Sequence, residues 1–239
     1  MTIAGKAVVV TGANRGLGQA LVSEALNRGA ARVYATARQP TAHPDERVTP
    51  LQLDITSAMQ AQQAAERARS ADILVNNAGL AIYEDLFNRD ALERQLAVNL
   101  FGTFDVTKAF LPLLAQSQGA VVNVVSLAAW GAIPLLPGYS ISKAAMFSLS
   151  QVLRAVLAGQ GITVHSAILG PVDTDMVRVL PIPKSTPESV AAAIFDGVEK
   201  GEEDIFPDPM SETIAEGWRT GSVKALEQEN AKYLPAGQL

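Results

Sequence analysis

The sequence predicts an α/β protein built on a doubly wound parallel sheet with helices on both faces. Two observations lead to this fold class. Strand-like and helix-like segments alternate about six times along the 239 residues, and most connections between them are a few residues long. No linker, charge run or low-complexity segment divides the chain. We therefore expect one domain over residues 1–239 rather than two, with right-handed crossovers between parallel strands.

The strands are predicted from short runs of β-branched and apolar residues. Lys6–Val10 reads KAVVV, which is typical of a strand buried on both faces. Six further strands are predicted at Val33–Ala37, Val48–Leu53, Ile73–Val75, Ala120–Val125, Ile162–Leu169 and Asp204–Phe206. The sheet is therefore expected to have about seven strands.

Helices are predicted between these strands. Leu17, Leu21 and Ala25 recur at four-residue spacing on one helix face, and Gly29 marks the end of that helix. Further helices are predicted at Thr56–Ala68, Asp90–Leu114, Ser140–Leu157, Pro187–Glu199 and Ser222–Tyr233. The segment Asp90–Leu114 is predicted as one long helix.

Composition excludes several classes of function. The chain has no cysteine, which excludes a disulfide scaffold, a thiolate zinc site and a cysteine nucleophile. It has only two histidines, His43 and His165, so we expect neither a multi-histidine metal site nor a Ser-His-Asp hydrolase. His165 lies within the predicted strand Ile162–Leu169, and we expect it to have a structural rather than a catalytic role. The net charge of −5 argues against nucleic acid as a partner, because phosphate binding needs a basic surface.

The sequence is expected to belong to a cytoplasmic protein. Its first residues, MTIAGKAVVV, have too short an apolar run for a signal peptide and lead directly into a glycine-rich turn. No stretch approaches the roughly 18 apolar residues that a membrane helix needs. We therefore expect no membrane partner.

A glycine-rich turn, TGANRGLG at residues 11–18, follows the first predicted strand and precedes the first helix. Gly12 would permit a tight turn, Gly16 a close approach of the backbone to a pyrophosphate, and Gly18 close packing of helix on strand. The free N–H groups of the helix N-terminus favour the same anion. The turn therefore predicts a dinucleotide site, with a purely structural turn as the alternative.

The end of the second predicted strand indicates which dinucleotide is bound. An acidic residue there accepts a hydrogen bond from the ribose 2′-hydroxyl, whereas an arginine accommodates a 2′-phosphate. The segment Ala35–Arg38 contains no acid, and Arg15 lies inside the glycine-rich turn. Arg38 and Arg15 together favour NADP over NAD, and the alternative for each is a solvated surface charge.

Tyr139 and Lys143 are four residues apart, a spacing that puts both side chains on one face of a helix. This helix starts just beyond the fifth predicted strand, on the carboxyl side where doubly wound folds bind ligands. Ser126 lies at the end of that strand. The three side chains are therefore candidates for one catalytic site.

Together these features resemble the short-chain dehydrogenase/reductase family, of the short single-domain type. The resemblance runs from Thr11 to at least Met176. It is carried in order by TGANRGLG (11–18), Asp54, NNAG (76–79), Asn99, Ser126, YSISK (139–143) and GPVDT (170–174). It implies a Rossmann-type sheet of seven parallel strands between helices, in a three-layer sandwich, which agrees with the fold class predicted above.

The resemblance implies four catalytic residues. Tyr139 would be the general acid in carbonyl reduction and the base in alcohol oxidation. A free tyrosine has a pKa near 10, so Lys143 would stabilise the phenolate as a nearby positive charge, and would also bind the nicotinamide ribose. Ser126 would orient and polarise the substrate oxygen. Asn99 would hold a water that connects Lys143 to bulk solvent.

The resemblance also implies the cofactor contacts. Asp54 would read the adenine amino group beside Ile55, and Val172 and Thr174 would contact the nicotinamide carboxamide. The full predicted set is Gly12, Asn14, Arg15, Gly16, Leu17, Gly18, Arg38, Asp54, Ile55, Asn77, Ala78, Gly79, Tyr139, Lys143, Gly170, Val172 and Thr174. The family usually has Pro-Gly where this chain has Leu169-Gly170-Pro171. The path of this loop is therefore the part of the predicted site that departs from the family pattern.

The substrate side is predicted to be apolar, and the segment at about 175–186 is predicted to form a short lid. The lining candidates are Leu127, Ala128, Trp130, Leu135, Leu136, Val172, Met176, Val177, Val179 and Leu180. Four of them are predicted to form the substrate pocket: Ala128, Trp130, Leu136 and Val177. Family members commonly form dimers or tetramers. We therefore expect a homo-oligomer that pairs through the helices at 90–114 and 140–157.

The expected function is reversible, NADPH-dependent reduction of hydrophobic ketones or aldehydes. One alternative is a non-catalytic NADP-binding redox regulator, which has no need of Ser126, Tyr139 and Lys143. Another is a different reaction on the same fold, such as that of an epimerase or an enoyl reductase. The glycine spacing and the Tyr–Lys interval argue against those enzymes.

Overall fold

The computed structural model describes residues 1–179 and 181–233, which form one parallel sheet flanked by helices. The strands are β1 (Ala7–Thr11), β2 (Arg32–Ala37), β3 (Val48–Gln52), β4 (Ile73–Asn76), β5 (Ala120–Val124), β6 (Thr163–Ala167) and β7 (Asp204–Ile205). The helices are α1 (Gly16–Asn27), α2 (Ala58–Ala68), α3 (Arg89–Leu96), α4 (Thr103–Ser117), α5 (Pro137–Ala158), α6 (Pro187–Lys200), α7 (Pro209–Arg219) and α8 (Ser222–Ala231).

The seven strands follow the order β3-β2-β1-β4-β5-β6-β7, and every neighbouring pair is parallel. The predicted fold class is therefore confirmed. The chain order reverses between β1 and β4. Open α/β sheets bind ligands beyond the carboxyl ends of the strands at such a reversal, and the sequence motifs singled out above lie at this edge.

The apolar core lies on both faces of the sheet, because successive residues of a strand point to opposite faces. Val8 and Val10 of β1 pack on one side, in a cluster that includes Leu21 of α1 and Phe195 of α6. Val9 packs on the other side, in a cluster that includes residues of α2 and α4. All five residues of β1 are buried, as predicted for a strand covered on both faces.

The segment predicted as one helix over Asp90–Leu114 differs from that prediction. The chain stays helical, but Ala97–Gly102 forms a π-helical turn between α3 and α4. Such a turn inserts a wider ring into a helix and is frequent at functional sites. It contains the buried Asn99, whose side chain bonds to residues outside the helix.

Two further helical features differ from the prediction. Helix α5 begins at Pro137 rather than Ser140, so Tyr139 belongs to its first turn. Helix α7 was not predicted at all. It begins after Asp208, whose carboxylate accepts hydrogen bonds from the backbone N–H groups of Met210 and Ser211 in a capping box.

By length and composition, α5 could also cross a membrane, so the expectation that no segment approaches this limit was wrong. The core helices of proteins without membrane segments meet the same criterion. Phe147 of α5 packs with Val125 and Ile168 beside the sheet. The same helix carries Tyr139 and Lys143.

Candidate active site

The glycine-rich turn has a backbone that only glycine tolerates at its key positions. Gly12 and Gly16 have φ values of +67° and +54°, in the left-handed region that side chains disfavour. A Cβ atom on Gly18 would lie 2.0 Å from the carbonyl oxygen of Gly12. Helix α1 therefore starts in direct contact with the turn, so its N-terminal N–H groups lie at the position that the sequence predicts for a pyrophosphate.

Asn77 joins the end of β4 to this turn. Its side-chain amide donates to the carbonyl oxygen of Thr11 at 2.8 Å. The hydroxyl of Thr11 in turn accepts from the backbone N–H groups of Asn77 and Ala78, at 2.9 and 3.0 Å. A Cβ on Gly12 would lie 3.0 Å from the Cα of Ala78. The structure thus brings Asn77 and Ala78 to the glycine-rich turn.

Asn76, one residue earlier, has a structural role. Its amide donates to Asn123 of β5 at 2.9 Å and to Thr107 of α4 at 3.0 Å. These buried bonds tie the centre of the sheet to α4.

The predicted adenosine end lies where β2 and β3 finish. Asn14 donates to the carbonyl oxygen of Gln39 at 2.6 Å and so links the glycine-rich turn to the segment after β2. Hydrogen bonds from the side chain and backbone N–H of Thr56, with a contribution from the charge of Arg38, hold the pKa of Asp54 below its ordinary value. Arg38 is exposed beside Asp54, as a residue that meets a phosphate would be.

Arg15 has a partner that the sequence did not predict. Its guanidinium lies 3.1 Å from the carboxylate of Asp175, in the segment after β6. Both side chains are largely exposed, so this pair contributes little stability. The contact turns Arg15 toward the loop after β6, whereas Arg38 directly follows β2.

The loop after β6 reaches the glycine-rich turn although its Gly-Pro sequence departs from the usual family pattern. A Cβ on Gly16 would lie 3.0 Å from the Cγ2 of Thr174. The backbone N–H of Gly170 donates to Asp208 at 2.7 Å, and Val172 pairs with Ser185 in a parallel bridge. These contacts fix the loop path and put Thr174 against the cradle.

Tyr139 and Ser126 lie together at the carboxyl end of β5. Ser126 follows the strand, and its hydroxyl accepts a hydrogen bond from the backbone N–H of Ala128 at 3.1 Å. Burial raises the pKa of the Tyr139 phenol above its ordinary value. A hydrogen bond to the Ser126 side chain acts in the opposite direction, and the neighbouring Tyr83 raises this pKa further. Tyr139 is therefore protonated at neutral pH in this structure.

Lys143 lies one helical turn after Tyr139, with its ammonium 5.7 Å from the centre of the tyrosine ring. The side chain is buried and donates to the carbonyl oxygen of Val124 at 2.7 Å. Burial lowers the pKa of Lys143 to about 8. A charge at this position stabilises a phenolate on Tyr139.

Asn99 lies on the other side of the lysine. Its Oδ1 accepts from the backbone N–H of Leu80, and its Nδ2 donates to the carbonyl oxygen of the same residue, both at 2.8 Å. A Cβ on Gly79 would lie 3.4 Å from Asn99 Oδ1 and 3.8 Å from Lys143 Nζ. The structure therefore brings the four predicted catalytic residues into one connected group.

Sequence reasoning missed several residues that hold this group in place. Gln95 of α3 is buried, accepts from the backbone N–H of Ile82 at 3.0 Å, and leaves no room for a Cβ on Gly138. Ser142 accepts a hydrogen bond from Asn99, and Asp208 accepts one from Gly170. A capping pattern after β7 could have identified Asp208, whereas the contacts of Gln95 depend on tertiary structure.

The four retained substrate-pocket candidates lie in different settings. Ala128 and Leu136 are almost fully buried, and Val177 is half-buried in a 3₁₀ turn at Asp175–Val177. Trp130 stacks on Trp218 of α7 with ring centres 4.2 Å apart. Its indole therefore packs within the fold, and its predicted contact with substrate stays a prediction, as do those of the other three.

Three further predictions concern the rest of the chain. His165 is buried in β6, where burial lowers its pKa and its Nδ1 bonds to the carbonyl oxygen of Glu202. This setting matches the structural role expected for it. Leu180, a lining candidate in the predicted lid, lies outside the described residues. Within residues 1–179 and 181–233, no cluster of three His, Asp or Glu side chains could hold a metal ion.

The sequence of this chain is similar to a known protein family and to several known proteins. The family model described as short chain dehydrogenase matches residues 6–183. The chain is 34% identical over 197 residues to the short chain dehydrogenase pigC of Monascus ruber, which covers 73% of this chain and 65% of that protein. It is 35% identical over 176 residues to estradiol 17-beta-dehydrogenase 2 of Mus musculus, covering 66% and 46%. The match thus spans about half to two thirds of the length of these curated relatives.

A solved structure is similar over the whole fold. It is a short chain dehydrogenase from Burkholderia cenocepacia in complex with NADP, 35% identical to this chain. The two structures superpose with a TM-score of 0.88, covering 98% of this chain and 100% of the other.

Proposed function

Because the chain belongs to the short chain dehydrogenase family, we propose that it is an NADP(H)-dependent carbonyl reductase, which reduces hydrophobic ketones or aldehydes to alcohols in a reversible reaction. The observation that carries this proposal is the group formed by Ser126, Tyr139 and Lys143 at the carboxyl end of β5. A binding protein would have no use for this group.

The three side chains suit the reduction of a carbonyl. A nicotinamide cofactor, when bound, would supply the hydride. The Ser126 hydroxyl orients the substrate oxygen beside the phenol of Tyr139, which donates the proton to that oxygen. The raised pKa of Tyr139 keeps the phenol protonated at neutral pH, the state that reduction requires. As the proton leaves, the ammonium of Lys143 stabilises the phenolate, and the reverse reaction uses that phenolate as base.

The cofactor proposal rests on the shape and charge of the cradle. Gly12, Gly16 and Gly18 have no room for a Cβ, which would meet Ala78, Thr174 and the carbonyl oxygen of Gly12 respectively. This close packing holds the turn against the N-terminus of α1, the type of position where proteins bind phosphate groups. Arg38 is exposed beside Asp54 at the end where a 2′-phosphate would lie. The similar Burkholderia protein is in complex with NADP, which supports NADPH over NADH for this chain.

Assembly and location complete the proposal. Phe101 and Phe104 on the π-turn and α4, together with Ile141 and Val152 on α5, are large apolar side chains exposed to solvent. We propose that they pair two copies of the chain in a homodimer, or in a homotetramer built on it. A cytoplasmic location, without a nucleic-acid or membrane partner, is part of the same proposal.

A two-step titration tests the proposed activity. NADPH is first added to the protein while its fluorescence is followed, and a panel of apolar ketones and aldehydes is then added. Saturable binding followed by loss of the NADPH signal on adding carbonyl compounds is the expected result. Binding without turnover by any compound would instead favour a redox regulator, and an altered substrate with no net NADPH oxidation would favour an epimerase.

A further inference from the structure

A hydrogen bond crosses the sheet edge above the catalytic group. Tyr83 lies in the segment between β4 and α3, and its hydroxyl donates to the carbonyl oxygen of Met176, in the 3₁₀ turn after β6, at 3.2 Å. Strand β5 lies between β4 and β6 in the sheet. A contact between the loops that follow β4 and β6 must therefore pass over the end of β5, where Ser126 lies.

The loop that carries Tyr83 is held at two points. Asn99 bonds to both backbone groups of Leu80, and Gln95 accepts from the backbone N–H of Ile82. Gln95 also packs directly against Gly138, the neighbour of Tyr139. The position of Tyr83 relative to the catalytic tyrosine is therefore fixed through buried side chains.

The three loops that follow β4, β5 and β6 carry exposed apolar side chains. They are Tyr83 and Leu86 on the first loop, Ile133 and Leu135 on the second, and Met176, Val179 and Ile182 on the third. Apolar parts of a substrate would rest on these side chains.

We propose that Tyr83 is a specificity-determining residue, which, through its contact with Met176, admits ketones with a slender apolar substituent and excludes ketones branched on both sides of the carbonyl. This inference rests on the proposed function. Neutral hydrogen bonds such as this one are weak in net terms, so the bond with Met176 serves to orient the tyrosine ring, and the bulk of the ring supplies most of the selection.

Two variants separate the ring from the hydrogen bond. Tyr83→Phe keeps the ring and removes the bond, whereas Tyr83→Ala removes both. Tyr233 is exposed on the segment after α8, so Tyr233→Phe and Tyr233→Ala are matched controls. The activity measurement is the ratio of kcat/KM for a ketone branched on both sides to kcat/KM for a linear methyl ketone, with NADPH.

The ratio is expected to rise about 10-fold or more in Tyr83→Ala, the size of effect that a pocket contact of this kind commonly has on specificity. Tyr83→Phe should raise it by a smaller factor, and the Tyr233 controls should leave it unchanged. A ratio in Tyr83→Ala equal to that of the wild type would overturn the proposal.

Hydrogen exchange gives a readout that does not depend on turnover. The segment 171–179, which contains Met176, should exchange faster in Tyr83→Phe than in the wild type or in Tyr233→Phe. Equal exchange would overturn the contact whether or not any ketone is reduced. The segment could exchange faster in Tyr83→Phe while the wild-type protein reduces no carbonyl compound. That result would overturn the specificity role together with the proposed function, and only the contact between Tyr83 and Met176 would stand.

Discussion

Asn99 donates a hydrogen bond of 2.8 Å to the hydroxyl of Ser142 and so ties the π-helical turn to the first turns of α5. The Ser142 hydroxyl in turn donates to the carbonyl oxygen of Tyr139 at 2.7 Å. The same asparagine clamps Leu80 on the loop after β4. One buried side chain thus sets the positions of the loop after β4 and helix α5 relative to each other.

Gly18→Ala should disrupt the cofactor cradle. The new Cβ would lie 2.0 Å from the carbonyl oxygen of Gly12, so the helix or the turn must move. We expect the free energy of unfolding to fall by about 2 kcal/mol, as for other overpacked sites, and NADPH binding to weaken at least tenfold.

Gly217→Ala is the matched control for this change, because a Cβ there meets no atom within 4 Å. Alanine should raise the free energy of unfolding by about 0.5 kcal/mol at this position in α7. Urea unfolding and NADPH titration measure both quantities. NADPH affinity unaffected by Gly18→Ala would contradict the placement of the pyrophosphate.

Arg38→Asp should reverse or abolish the preference between the two dinucleotides. The substitution replaces a cation with an anion where the 2′-phosphate would lie, next to the existing carboxylate of Asp54. A lost charge-assisted contact of about 3 kcal/mol corresponds to a roughly 100-fold weaker affinity for NADPH, whereas the affinity for NADH should change little.

Titration of each cofactor measures this preference, and Arg67→Asp on the exposed face of α2 supplies a control for the change in net charge. If Arg38→Asp and Arg67→Asp had the same ratio of NADPH to NADH affinity, Arg38 would have no part in reading the phosphate.

Lys143→Met should stabilise the protein at neutral pH. Burial lowers the pKa of Lys143 from 10.5 to about 8, so the unfolded chain holds this proton more tightly than the folded one. The resulting penalty is greatest below about pH 8 and disappears as the pH rises to about 10.5. The penalty amounts to about 3 kcal/mol at neutral pH. Lys143→Met removes this penalty but also removes the hydrogen bond to Val124, which contributes about 1 kcal/mol.

Urea unfolding at about pH 7 and about pH 10 measures this effect. The stability gained by Lys143→Met should be about 2 kcal/mol at the lower pH and close to zero at the higher. Lys200→Met, at an exposed position in α6, provides the matched control. A gain that is independent of pH would show that the buried ammonium carries no such penalty.

Val152→Glu should dissociate the proposed dimer. Val152 is 56% exposed on α5, and a carboxylate buried between two copies would cost more than the apolar contact contributes. Light scattering after size exclusion should show a smaller species than the wild type. Met59→Glu, at a position in α2 that is 67% exposed, should leave the assembly unchanged. A monomeric wild-type protein would contradict the proposed pairing.

The order of strands and helices could be predicted because each buried strand is a compact apolar run and each covering helix repeats its apolar residues at helical spacing. Val8, Val9 and Val10 illustrate the first signal, and Leu17 and Leu21 the second. The π-helical turn could not be predicted, because the bonds of Asn99 to Leu80 and Ser142 join segments that are distant in sequence.

The catalytic group was predictable from the spacing of Tyr139 and Lys143 and from the family resemblance. The residues that support it were not. Tyr83 and Gln95 form hydrogen bonds with backbone groups of Met176 and Ile82. Every residue has a backbone carbonyl, so the sequence does not indicate that the carbonyl of Met176 accepts this bond. Trp130 was assigned to the substrate side as an apolar residue near Ser126, but its stacking partner Trp218 is supplied by a helix that was not predicted.

The most direct test of the account is NADPH oxidation by wild-type protein and by Tyr139→Phe with the best ketone of the panel. Phenylalanine keeps the ring beside Lys143 and removes only the hydroxyl that donates the proton. Loss of a general acid should lower the rate by about 10²- to 10⁴-fold, while the affinity for NADPH stays the same. Equal rates in the two proteins would contradict the assignment of Tyr139 as the proton donor.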